Sequence, residues 1–105
     1  MDGVRNARIR STMLGVEDHG MLTFYLLIEG DGWSQGFGGY VADDGPFLAE
    51  SVRRILDTLE VRSWEALTGQ LVRIDGSGTK MRRIGHIYKD KWYDIVAHAA
   101  DAQTR

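Results

Sequence analysis

Five of the chain's 13 glycines fall within the eleven residues Gly30–Tyr40, Gly-Asp-Gly-Trp-Ser-Gln-Gly-Phe-Gly-Gly-Tyr, beside three aromatics and a single Gln. No other stretch restricts the fold as much. Glycine inside a strand marks a bulge, a sharp bend, or a place where another backbone or a ligand approaches closely. The stretch follows the most apolar run of the chain, Met21–Ile28, and precedes its clearest helical pattern. Glu29-Gly30-Asp31-Gly32 therefore reads as a tight turn, and Trp33–Val41 as a glycine-bulged strand.

The flanking segments supply its neighbours. Ala7–Leu14 alternates, placing Ala7, Ile9, Ser11 and Met13 on one face of a half-buried strand. Gly15–Gly20 is rich in turn formers, and Met21–Ile28 reads as a central strand covered on both faces. Asp43, Asp44, Gly45 and Pro46 are helix-start chemistry. Leu48, Val52, Ile55, Leu56 and Leu59 then form one apolar face, so Phe47–Leu59 should lie across the sheet. Ser63–Leu67 is a capped single turn. Gln70–Asp75 and Lys80–Tyr88 read as two further strands, Trp92–Ile95 as a patch closing the core edge, and residues 96–105 as a loose tail, either a terminal helix or disordered. The expectation is one α+β domain over residues 1–105: an antiparallel five-stranded sheet, ordered β-β-β-α-β-β, with one helix packed on it.

At 105 residues the chain has room for a single core. The absence of cysteine excludes disulfides, a thiol nucleophile and cysteine zinc sites. No apolar run reaches the roughly 18–20 residues of a membrane span and no leader pattern opens the chain, so a cytoplasmic, non-membrane setting is expected. The net charge of −2 is unevenly spread: +2 over residues 1–12, −7 over 13–60, and +4 over 80–91. Such a polar molecule can pair strands across its acidic middle or associate with itself, and a homo-oligomer is expected.

The glycine stretch is no dinucleotide loop, because Gln35 stands where G-x-G-x-x-G needs glycine. Gly76-Ser77-Gly78-Thr79-Lys80 lacks the spacing of a phosphate-binding P-loop. No cofactor is expected. What remains is physical: bare backbone N–H groups beside Trp33, Phe37 and Tyr40 can grip an anion and stack a planar base, with Arg83 on phosphate and Gln35 on a base edge. Arg83, Lys89 and Trp92 belong to a basic, aromatic C-terminal region suited to phosphates and bases, though no RNA- or DNA-binding motif accompanies them. Two acidic pairs, Glu17-Asp18 and Asp43-Asp44, can imitate nucleic-acid phosphates. His19, His86 and His98 form no metal motif, and no serine sits in a nucleophile elbow. An enzymatic reading would have to pair His86 with Asp18 or Glu17.

Three segments carry a resemblance: Ile9-Arg10-Ser11-Thr12-Met13-Leu14-Gly15 with Glu17-Asp18-His19-Gly20, then Gly36-Phe37-Gly38-Gly39-Tyr40, then Ile84-Gly85-His86-Ile87 with Lys89-Asp90 and Trp92. Together they resemble a family of small phage- and prophage-encoded proteins, over roughly residues 7–95. The resemblance implies a setting, with no established catalytic activity and no site residues. Small accessory phage proteins commonly antagonise host defence, as anti-CRISPR proteins that bind an effector or as sponges for nucleotide signals. The expected function is thus a non-enzymatic binding protein whose partner is a host defence protein or a signalling nucleotide. Its contact residues would be Trp33, Gln35, Phe37, Tyr40, Arg83, Lys89 and Trp92, or the acidic Glu17, Asp18, Asp43 and Asp44. A nucleic-acid-binding accessory protein and a small His/Asp enzyme are the alternatives.

Overall fold

The computed structural model describes residues 3–39, 45–77 and 80–103. The chain opens with three antiparallel strands, β1 (Gly3–Val16), β2 (Leu22–Gly30) and β3 (Trp33–Gly38), followed by helix α1 (Gly45–Leu59) and a 3-10 turn (Trp64–Leu67). Strands β4 (Leu71–Ser77), β5 (Lys80–His86) and β6 (Trp92–Asp94) come next, and helix α2 (Ile95–Gln103) ends the described chain. The sheet has six strands in the order β3-β2-β1-β4-β5-β6, with antiparallel pairing throughout. An α+β domain was expected, but with five strands and one helix. The sixth strand is the Trp92 patch, which pairs with β5 through Gly85↔Trp92 and Ile84↔Tyr93. No helix among the described residues is long and apolar enough to cross a membrane.

The joint of the sheet is β1, which serves two partners in succession. Gly3–Arg8 pairs with β4, and Arg8–Val16 pairs with β2. A β-bulge between Ile9 and Ser11 separates the halves and turns the side chains over. Ile9 lies opposite Ile28 in the core, whereas Ser11 and Met13 lie opposite Leu27 and Tyr25 on the other face. The expected common face for Ile9, Ser11 and Met13 is therefore broken. The β1–β2 turn is a three-residue loop closed by Gly20 in the left-handed region (φ 84°), with Gly20 N donating to Glu17 O and Glu17 N to Met21 O.

No bulge interrupts β3, whose register with β2 runs unbroken from Trp33 to Gly38. One of its glycines has another cause. Gly38 holds φ 107°, and a Cβ there would sit 2.8 Å from the Phe24 ring and 3.0 Å from the Phe24 carbonyl oxygen. This position is thus the seat of a neighbouring strand's aromatic.

Both helices belong to the side of the sheet that carries Ile9, Leu26, Ile28, Ile74 and Ile84, each fully buried. From α1, Phe47, Leu48, Ile55 and Leu59 enter this core, as the sequence periodicity requires. Of the two forms expected for the tail the structure shows the helix, α2, docked rather than loose through residue 103. Asp94 caps its first turn by accepting from Ala97 N at 2.8 Å, and Ile95 and His98 are buried. Because the helices cover one side only, β2 is not covered on both faces: Phe24, Leu26 and Ile28 are buried while Tyr25 is exposed.

Candidate functional site

On the side of the sheet that no described element covers, exposed apolar side chains stand among polar ones such as Asn6, Arg8, Ser11, Arg73 and Asp75. Open faces of antiparallel sheets normally alternate to polar side chains. Here strand alternation and register put Val4, Met13, Tyr25, Leu27 and Leu71 on the face opposite the core. Leu71 is 52% exposed, Val4 51% and Tyr25 41%. Around Leu71 a groove of about 450 Å³ is lined by Asn6, Ala7, Arg8, Glu29, Gly30 and Ile87, so an apolar floor is rimmed by charges of both signs.

At the β6 edge of the same face, Trp92 lies across Gly85, where a Cβ would sit 2.6 Å from the indole. Only glycine lets the ring lie flat on the strand. The Arg83 guanidinium stands 4.0 Å and that of Arg73 4.7 Å from the indole centroid. Both cations are also engaged elsewhere. Arg83 donates to Asp75 at 2.8 Å, and Arg73 donates to His86 O at 2.7 Å and to Lys89 O at 2.6 Å. The result is a stacked Arg83–Trp92–Arg73 cluster in which Asp75 balances the charge of Arg83 and backbone carbonyls hold the Arg73 guanidinium.

Lys89 works as a structural clamp. Helix α1 ends in a Schellman-type turn, with Val61 N donating to Leu56 O and Glu60 N to Asp57 O. Glu60 takes the left-handed position usually given to glycine (φ 59°). Its carboxylate accepts from Lys89 at 2.8 Å and Lys91 at 3.2 Å, and these partners, Lys89 first, hold it below the usual carboxylate range. The same bond pushes the Lys89 ammonium up. His86 Nδ1 accepts from Tyr88 N and Lys89 N, which leaves Nε2 to carry the proton, 3.8 Å from Glu60. His86 is thereby committed to the β5–β6 turn. Asp18 sits at the tip of the β1–β2 hairpin, up to roughly 30 Å of extended strand beyond Arg8, so the structure does not bring the two together.

The remaining expected contact residues are dispersed. Phe37 is fully buried and meets the Tyr93 ring edge-on at 6.4 Å, so it is a core residue and stacks nothing external. Trp33 lies under the Arg5 guanidinium, 4.4 Å from its centroid, and is half-buried. Gln35 stands opposite Ile28 on the helix side of β3, half-buried. Tyr40, Asp43 and Asp44 lie outside the described residues. Glu17 spends its carboxylate inside its own turn, accepting from His19 N at 2.6 Å and Met21 N at 3.2 Å, while Asp18 is exposed beside it. The hydrogen bond with the His19 ring, Nδ1 to Oε2 at 3.1 Å, is the main cause that holds the Glu17 carboxyl low.

One cluster was not anticipated. The Tyr93 hydroxyl donates to Ser51 Oγ at 2.9 Å and is hydrogen-bonded to His98 Nδ1 at 2.7 Å, linking β6, α1 and α2. Burial pushes the phenol pKa up. His98 also stacks on Phe47 with centroids 4.4 Å apart. The available signal was Ser51 itself, a polar residue within the apolar stripe of α1. Among the described residues no group of three His, Asp or Glu side chains is arranged to hold a metal ion. Comparison of the chain with family models, curated proteins and solved structures returned no match.

Proposed function

We propose that the protein is a non-enzymatic binding protein of phage type that antagonises a bacterial defence system by docking a host protein on the uncovered face of its sheet. The observation that carries this reading is the groove beside exposed Leu71, with Val4 and Tyr25 also exposed on the same face. Its rim of Arg8 and Glu29 suits a polypeptide surface of mixed charge. The phage setting rests on the resemblance carried by residues 7–95. A polyanion fits this face less well, because Arg73 and Arg83 already spend their donors on Asp75 and on backbone carbonyls. Sequestration of a nucleotide signal is the second reading, favoured by the flat Trp92 platform.

Co-expression with single defence systems in a susceptible host, scored by phage plaque counts, tests the proposal. The expected result is relief of one system, abolished by Leu71→Asp with Tyr25→Asp while the melting temperature stays unchanged. Relief that survives this double change, or no relief of any system, overturns the protein-docking reading. A panel of cyclic nucleotides that raises the melting temperature of the wild type but not of Trp92→Ala would favour sequestration instead.

A further inference from the structure

We infer that the chain forms a two-fold dimer by pairing the overhanging edge of β1, Ser11–Val16, with the same edge of a second copy. Among the described residues this stretch is hydrogen-bonded to β2 on one side only. Pairing with β4 ends at Arg8, and the last bonds on that side run between Ile9 and the backbone of Gly69 and Gln70. Because Glu17 N is bonded to Met21 O, alternation turns the amides of Thr12, Leu14 and Val16 away from β2. An unpaired edge of this kind is a template for another strand. Its side chains make the need sharper: Leu14 is 45% exposed, Val16 70%, and Leu22, opposite Val16, 42%.

The sequence of the edge selects a second copy as the occupant. Basic Arg10 stands at one end and acidic Asp18 at the other. Antiparallel pairing about Leu14 sets Leu14 against Leu14 of the second copy and Thr12 against Val16, and it brings Arg10, at the bulge, to the end where the hairpin turn carries Asp18, twice over by symmetry. The unpaired edge runs from the Ile9 bonds to Gly69 and Gln70 at one end to the hairpin turn at the other. This interface lies apart from Leu71 and does not depend on the docking reading above.

Sedimentation over a concentration series, with hydrogen exchange at Leu14 and Val16, tests it. The wild type should reach twice its 11.8 kDa mass, and the two amides should become protected as the dimer forms. Arg10→Glu and Asp18→Lys should each weaken dimerisation by about tenfold or more, since each places like charges together at two symmetric contacts. Combining the two changes should restore it. A chain that stays monomeric up to roughly millimolar concentration overturns the proposal. So does a dimer insensitive to both charge changes, or one in which Leu14 and Val16 exchange freely. Protection of those amides only on adding another protein would assign the edge to a foreign strand and overturn self-pairing.

Discussion

Tyr93→Phe isolates the hydroxyl that ties three elements together, and its consequences can be worked from the geometry. The substitution keeps the ring against Phe37 but deletes the bonds to Ser51 Oγ and His98 Nδ1. Ser51 is fully buried, so bulk water does not replace the partner its hydroxyl loses. Leaving a buried polar group without its bond costs about 1–3 kcal/mol. The Ser51 hydroxyl can turn back to the carbonyl of Phe47 one helical turn earlier, which sets the expectation near the lower bound. A destabilisation of about 1–2 kcal/mol lowers the melting temperature of a domain this size by roughly 5–12 °C. Calorimetry or far-UV circular dichroism reads this directly, with Tyr88→Phe as the neutral control because Tyr88 is 78% exposed. Ser51→Ala should be partly non-additive with Tyr93→Phe, with a coupling of about 0.5 kcal/mol or more. A shift below about 1 °C, or strict additivity, would refute the claim that this hydroxyl locks α2 onto α1.

Phe37→Ala removes a fully buried ring and should cost about 3–5 kcal/mol in denaturant unfolding. A loss under about 1 kcal/mol would return Phe37 to the surface. The Glu60 clamp predicts a pH dependence with a definite sign. The folded carboxyl is held below its ordinary value of 4.5 by Lys89 and Lys91, so its contribution is fully present above that value and is lost as pH falls through the depressed one. The stability difference between wild type and Glu60→Gln, followed by urea midpoints, should therefore be constant near neutrality and shrink on acidification. A difference that grows on acidification would contradict the clamp.

How much of this could be read beforehand depended on whether a feature was local. Helix α1 was legible because Leu48, Ile55 and Leu59 repeat with the helical period and Pro46 marks the start. The apolar run of β2 misled, because Tyr25 and Leu27 are apolar for the open face and no periodicity separates that case from burial on both sides. The bulge in β1 was invisible, since it exists only relative to the register of β2. Helix α2 is short and alanine-rich, and its order comes from the Asp94 cap and the docking of Ile95 and His98. At the candidate site Arg83 and Trp92 were legible as close neighbours in sequence. Arg73 was not, because its bonds to the β5–β6 turn arise only once β4 lies beside β5.

The divided pairing of β1 also fixes an order of events as the chain is made. Its second half meets β2 across a short turn, and that hairpin can close as soon as it is synthesised. Its first half must wait, because the partner of Gly3 is Gly76. At roughly 5–20 residues per second the interval between Gly3 and Gly76 is about 4–15 s, during which the partner strand of Gly3–Ala7 is still to be completed. Closing so large a loop sets a slow, late step in folding. The strands β1–β2–β3 are thus made well before β4–β5–β6, which completes the sheet from the far end of the chain.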